Sequence, residues 1–278
     1  MSFRVCGLEL TDFTDKISMT TKITSYWQNK SVLITGASSG LGWAIVEALA
    51  PYQVNFCLLS RREEKMKELA EKLKASGSTF WIKACDVRNR EEIYSAVNDF
   101  YHQNGRLDVA WVNSGIGANS SFQKWDWEKI ESVIDTNLKG AIYTIRACLE
   151  VMVPQQTGAI VGIGSAVAMR GLPTRGIYCL TKIGLAYFLE SLAAELPQIQ
   201  FTMIHPGFVD TPINQGNPHR IWLMTPAKAA KIMIKAVARR KKVLIYPVRM
   251  NLLYRAIHLL PTSIYLVLAR IIIGRFKD

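Results

Sequence analysis

The 278-residue chain is 49% apolar and 20% charged, with a formal net charge of +12 at neutral pH. This is a globular composition with length for a sizeable core, and the absence of low-complexity tracts and solenoid-period repeats excludes disordered and array classes. The charge is lopsided: twelve Lys/Arg and a single acid, Asp278, fall in residues 228–278, so +11 of the total sits at the C-terminus.

Five cysteines (Cys6, Cys57, Cys85, Cys148, Cys179) form no Cys-x-x-Cys pair, and four histidines have no ligand spacing. Buried free thiols and no metal site are expected. Residues 1–29 carry Glu9, Asp12 and Asp15 and lack a basic start followed by an apolar run. They read as an N-terminal extension rather than a secretory signal, with Met19 as an alternative start.

Ser31 to Thr35 reads as a buried strand running directly into Gly36-Ala-Ser-Ser-Gly40-Leu-Gly42 and a helical pattern to Ala50. Glycines at such a junction let backbone approach a ligand, and the helix N-terminus offers free N–H groups and a positive dipole end to a phosphate. A second strand, Val54 to Leu59, ends in Ser60-Arg61-Arg62. Folds that prefer NAD place an acid near this point for the ribose 2′-hydroxyl. Ser60 and Arg61 stand there instead, and a guanidinium fork suits a 2′-phosphate, so NADP(H) is favoured over NAD(H).

Residues 63–76 predict a helix, Thr79 to Ala84 a strand closed by Asp86, and Arg90 to His102 a helix. Leu107 to Val112 is a strand that leads into Asn113-Ser-Gly-Ile-Gly117. One long helix from about Trp127 to Met152 carries Asn137, an amide that costs helix propensity unless it is used. The strand Ala159 to Ile163 delivers Ser165, and a helix from Tyr178 to Leu196 follows. Gln200 to Ile204 is a strand left by a loop, His205-Pro206-Gly207 onward to Thr211 and Pro212. A helix from Pro226 to about Arg240 and a strand from Val243 to Tyr246 complete the alternation.

Strands alternating with helices predict an α/β fold, a single Rossmann-type doubly wound parallel sheet over residues 30–248. Gly36, Ser60, Asp86, Asn113 and Ser165 all fall at carboxyl ends of strands, where such sheets bind ligands. Tyr178 and Lys182 are one helical turn apart and share a face. An ammonium beside a phenol lowers the phenol's pKa, as a proton-transfer residue needs, and a serine hydroxyl can hold a carbonyl oxygen as negative charge develops.

Residues 249–278 form a basic amphipathic segment: Leu252, Leu253, Ala256, Ile257, Leu259 and Leu260 recur at helical spacing, Pro261 interrupts, and Ile264 to Ile273 is apolar apart from Arg270. The uncharged run from Ala256 to Ala269 is shorter than the roughly 20 residues that span a bilayer. Its profile is that of an interfacial helix on an anionic membrane, and the same stripe also suits packing on a partner subunit or over a substrate cleft. Basic groups interleaved with aliphatics rather than stacking aromatics argue against nucleic acid.

Together these motifs resemble the short-chain dehydrogenase/reductase family over residues 30–247. The matching residues are Thr35-Gly-Ala-Ser-Ser-Gly-Leu-Gly42, Asp86, Asn113-Ser-Gly115, Asn137, Ser165, Tyr178-x-x-x-Lys182, and Pro206-Gly207 followed by Thr211. They stand in the family's order, with its thirteen-residue step from Ser165 to Tyr178. Ser114 departs from the usual Asn-Asn-Ala-Gly.

The resemblance implies hydride transfer between NAD(P)(H) and an alcohol/carbonyl pair. Tyr178 would then be the acid or base, Lys182 its pKa-lowering partner and ribose ligand, Ser165 the group polarising the carbonyl, and Asn137 the holder of a relay water. Gly36, Ser38, Gly40, Leu41 and Gly42 would line the pyrophosphate. Asp86 and Val87 would meet the adenine, with Asn113 along the cofactor and Pro206 and Thr211 near the carboxamide. A small, apolar carbonyl substrate is expected from Phe208, Val209, Ile213, Ile221, Trp222, Leu223 and Met224, and the protein is expected to be a cytoplasmic dimer with peripheral membrane contact at the inner face. Two other readings stand beside this one: an NAD-dependent alcohol dehydrogenase, and a non-catalytic membrane-docked dinucleotide sensor. The presence of all four catalytic side chains argues against the sensor.

Overall fold

The computed structural model describes residues 21–215 and 220–274. Seven strands carry the fold: β1 (Ser31–Thr35), β2 (Asn55–Ser60), β3 (Thr79–Ala84), β4 (Val109–Val112), β5 (Ala159–Ile163), β6 (Gln200–Pro206) and β7 (Val243–Tyr246). They form one sheet in the order β3-β2-β1-β4-β5-β6-β7, every pair parallel. Strand order reverses between β1 and β4, and a ligand crevice opens at the carboxyl ends beside such a reversal.

The strands are apolar on both faces because helices cover both. In β1, Val32 and Ile34 enter one core with Trp111 and Val161, whereas Leu33 enters the other with Ala110 and Ile160. The first core lies under α2 (Gly40–Leu49) and α8 (Pro226–Ala238). The second lies under α4 (Arg90–Asn104), α6 (Gly140–Met152) and α7 (Gly176–Glu195). α7 has the length and hydropathy of a membrane span, but it packs on β5 and β6 through the buried Leu185 and Leu189. Cys57, Cys85, Cys148 and Cys179 are free and buried as expected, and burial pushes the Cys85 thiol up to about 12. Cys6, Met19, His219 and Asp278 lie outside the described residues.

Four differences from the sequence reading have local causes. Residues 21–27 are helical (α1) and belong to the fold, because Trp27 is fully buried, stacks on Trp111 at 6.3 Å and donates from Nε1 to the Ile234 oxygen. The helix expected over 63–76 is α3 (Glu63–Lys72) followed by a 3₁₀ turn, Lys74–Ser76. The long helix around Asn137 is three pieces, α5 (Trp127–Ile134), a π-helical stretch Asp135–Lys139, and α6. His205 and Pro206 finish β6 rather than leave it, paired with Ile245 and Tyr246 of the edge strand β7, which asks no N–H of the proline.

After β7 the chain forms α9 (Val248–Leu259) and α10 (Thr262–Gly274), separated at Pro261. α9 starts against Gly207, where a Cβ would approach Met250 Cε to 3.3 Å.

Candidate active site

The glycine loop between β1 and α2 is held bare by its own backbone. Gly36 (φ +68°) and Gly40 (φ +59°) occupy left-handed conformations, and a Cβ at Gly42 would stand 2.3 Å from the Gly36 oxygen. No side chain caps the start of α2, so its first N–H groups face the crevice. Residues with this backbone and an uncapped helix N-terminus fit a pyrophosphate. Leu41 packs on the first core and orients the loop from below.

At the end of β2 the two neighbouring arginines have different surroundings. Ser38, buried, accepts from the Ser60 hydroxyl at 2.7 Å and from Arg62 Nε and Nη2 at 3.2 and 3.0 Å. Arg62 also donates to Ser39 at 2.8 Å. Arg62 thus buttresses the glycine loop, leaving Arg61 exposed beside it and close enough to Asp86 to help lower that carboxyl's pKa. The main cause of that lowering is the Arg88 guanidinium, which forks onto both Asp86 oxygens. Val87 is buried next to Asp86, against Gly140.

β4 leads directly into Asn113, whose amide donates to the Thr35 oxygen at 2.9 Å, while its own N–H donates to Thr35 Oγ1 at 3.0 Å. Ser114 N–H shares the same hydroxyl at 3.2 Å, so the departure at Ser114 leaves the main-chain link intact. Gly115 comes closest to the chemistry, since a Cβ there would meet Lys182 Nζ at 3.0 Å and Asn137 Oδ1 at 3.4 Å.

Asn137 is 1% exposed, not a surface residue. Its Oδ1 accepts from Ile116 N–H at 2.8 Å, and its Nδ2 donates to the Ile116 oxygen at 2.9 Å and to Thr181 Oγ1 at 3.3 Å. The π stretch turns it inward. Such single-turn bulges recur at functional sites.

Tyr178 and Lys182 lie on the inner face of α7, as their spacing predicts, with Nζ 6.0 Å from the centre of the phenol ring. Lys182 is 3% exposed, donates to the Ile163 oxygen at 2.9 Å, and is pushed down by burial to about 8. For Tyr178 the sequence expectation is reversed. Burial raises the phenol above its ordinary value, and the nearby Ser165 hydroxyl and Arg175 only partly oppose it.

Ser165 is 9% exposed, and its main-chain oxygen lies 3.3 Å from Nδ1 of His205, also buried. Burial first, then the Lys182 charge, lowers the His205 pKa against the hydrogen bond to Ser165. No role for His205 was legible in the sequence; its place beneath Ser165 follows from β6 extending to Pro206. Arg175 was also missed. It reaches Ala118 O at 3.5 Å across the mouth of the site. Thr211 is buried against Gly40, where a Cβ would meet its Cβ at 3.3 Å, and Pro206 ends β6 at the same edge.

The strand ends therefore bring together Ser165, Tyr178, Lys182 and Asn137, and line up Gly36, Ser38, Gly40, Gly42, Ser60, Asp86 and Asn113 along one edge of the sheet. A half-buried phenol, a hydroxyl and an ammonium around one cleft suit acid–base chemistry on a carbonyl or alcohol.

Known proteins agree. An uncharacterized oxidoreductase of Myxococcus xanthus is 30% identical over 244 residues, covering 87% of this chain and 96% of its own. A 3-oxoacyl-[acyl-carrier-protein] reductase of Chlamydia muridarum is 34% identical over 192 residues, covering 68% and 77%. Among solved structures, an alcohol dehydrogenase of Thermococcus sibiricus complexed with 5-hydroxy-NADP shares the fold at a TM-score of 0.72 and 24% identity, covering 79% and 96%. A short chain dehydrogenase/reductase of Burkholderia phymatum with NAD does so at 0.77 and 20%, covering 84% and 94%. The short chain dehydrogenase profile matches residues 30–221. With that match spanning most of the sheet and every strand end that carries the site, the chain belongs to the short chain dehydrogenase family and is an NAD(P)-dependent oxidoreductase.

Proposed function

We propose that the protein is an NADPH-dependent carbonyl reductase acting on an apolar ketone. The observation that carries this reading is the convergence of Tyr178, Ser165 and the buried Lys182 on one cleft at the switch point of the sheet. When bound, the nicotinamide supplies the hydride. Ser165 Oγ donates to the substrate oxygen, and Tyr178 Oη gives it a proton.

Lys182 has two N–H donors beyond the one spent on Ile163, for the nicotinamide ribose and for a relay water. Asn137 holds Gly115 and Ile116 against that ammonium and completes the relay. The glycine loop, Asp86, Val87, Asn113, Pro206 and Thr211 hold the dinucleotide.

Preference for NADPH is supported by Arg61 and Arg62 at the end of β2, where an acid would serve NAD. The apolar character of the substrate is supported by Ile213, Ile221, Trp222 and Leu223, each more than 40% exposed in the segment after Thr211. A homodimer is supported by Leu180 and Tyr187, exposed seven residues apart on one face of α7. Peripheral contact of residues 249–278 with the cytoplasmic face of a membrane is supported by their basic, apolar composition.

The test is fluorescence titration with NADPH and NADH at fixed salt, followed by turnover on hydrophobic ketones. Tighter NADPH binding and a Tyr178→Phe enzyme that binds but does not turn over would support the reading. NADH preference would redirect it to alcohol oxidation, and binding of neither would overturn it.

A further inference from the structure

The α9–α10 hairpin is joined to the segment between Ser165 and Tyr178, chiefly around one arginine. Arg170, between Ser165 and Tyr178, donates from Nη1 to the main-chain oxygens of Ile257 and Leu260, the latter at 2.8 Å. Its guanidinium lies 4.2 Å from the centre of the Tyr265 ring on α10, and the Tyr265 hydroxyl donates to the Gly171 oxygen. Carbonyls at a helix C-terminus lack intrahelical partners and carry the negative dipole end, so a guanidinium there both bonds and neutralises. Stacking on tyrosine adds a cation–π attraction. The α9–α10 hairpin and the segment leading to Tyr178 are thereby joined.

Among its described side chains, residues 262–271, α10 turns a narrow stripe to the protein, Tyr265 and Ala269 one turn apart. Ile264, Leu266, Val267, Leu268 and Ile271 are each 43–54% exposed. A helix in water would carry charge on those sides. Here the only charge among them is Arg270, and no Asp or Glu occurs anywhere from Thr211 to Lys277. Aliphatics on most sides with basic flanks complement acyl chains beneath anionic headgroups. A second copy docking on this face would set like charges against one another. With 13 residues, α10 falls short of the roughly 20 needed to span a bilayer and is suited to lie along its surface.

We infer that α10 embeds in the interface of an anionic phospholipid membrane, and that the Arg170–Tyr265 link seats the cleft against it so that an apolar carbonyl reaches Tyr178 from the lipid. The second half rests on the reductase reading; the first does not.

The experiment is co-sedimentation of the full chain with vesicles of phosphatidylcholine alone and of phosphatidylcholine mixed with phosphatidylglycerol. Wild type and the exposed double variant L266E/V267E are compared, with an NADPH titration on each. Wild type should pellet with anionic vesicles at least about tenfold more strongly than with neutral ones, and the variant should stay in solution with unchanged NADPH affinity. Wild type that binds NADPH yet ignores anionic vesicles overturns the inference, as does a variant that pellets like wild type. A face that pairs copies would instead give a concentration-dependent oligomer dissociated by the variant without vesicle binding, which also overturns it. Absence of NADPH binding by wild type would count against the dinucleotide reading alone, leaving the vesicle result to decide docking. For the second half, Arg170→Ala should still bind vesicles but lose the rise in turnover of a bilayer-dissolved ketone that vesicles give wild type; undiminished stimulation overturns it.

Discussion

The ammonium of Lys182 donates to the main-chain oxygen of Ile163 at 2.9 Å, which ties α7 to the final residue of β5 through a buried charge. Burial lowers that lysine from 10.5 to about 8. A depressed pKa means that the folded state disfavours the charged form. The contribution to stability is therefore full above about 10.5, declines as pH falls, and is lost below about 8. At neutral pH the cost is of the order of 3 kcal/mol. Lys182→Met is expected to abolish turnover yet raise the Tm at pH 7 by several degrees, with the gain shrinking toward pH 10.5. Thermal melts at the two pH values check this, and a lowered Tm at pH 7 would show that the bond to Ile163 outweighs the desolvation.

The raised phenol of Tyr178 sets a pH signature. Reduction, which draws a proton from it, should stay flat through neutral pH and fall only in alkali. Oxidation of the corresponding alcohol, which needs the phenolate, should climb over the same range. Tyr178→Phe is expected to lower kcat by about 10²–10⁴ with little change in NADPH affinity, read by steady-state kinetics beside a binding titration.

Arg61 and Arg62 should separate cleanly. Arg62→Ala removes the donors that hold Ser38 and Ser39, so both NADPH and NADH should bind several-fold more weakly. Arg61→Ala leaves those bonds in place and should weaken NADPH alone, by about tenfold or more for a lost charge-assisted contact. Equal losses for both nucleotides in Arg61→Ala would remove it as the phosphate reader.

Trp27 ties α1 to α8 and β4. Trp27→Ala is expected to cost about 3–5 kcal/mol, as large aromatic truncations in a core do. A chain beginning at Lys30 should lose at least as much. Urea unfolding measures both.

The strands and the site were legible because they follow from short-range signals. β3, β5 and β7 have the bounds their apolar runs predict, and the glycine loop, Ser165, Tyr178 and Lys182 announce themselves by spacing. What escaped depends on distant partners. Trp27 reads as part of a polar extension until Trp111 and Ile234 surround it. Arg61 and Arg62 are indistinguishable in sequence, and only the fold of β2 over the glycine loop aims one of them at Ser38. The Tyr178 pKa went the other way because helical spacing reports the neighbouring charge but not the burial around it. His205 reads as loop because Pro206 reads as a strand breaker, yet Pro206 is the last residue of β6, past its pairing with β5, and Met203 and Gly207 donate the N–H groups to the β7 side.

The π stretch Asp135–Lys139 carries one more consequence. A residue inserted into an α-helix advances everything beyond it by about 100° of azimuth. α5 and α6 are therefore two rods out of phase: Ile130 and Val133 bury one stripe, and Ala141, Thr144, Ile145 and Cys148 another. That phase slip lets a single continuous segment serve two neighbours while swinging Asn137 between them toward Ile116 and Thr181. Gly140 allows the slip to fit, since a Cβ there would press to 2.8 Å on Val87. Removing one residue from the stretch would restore an unbroken helix at the expense of the site's alignment, so the irregularity is a built-in offset between scaffold and chemistry.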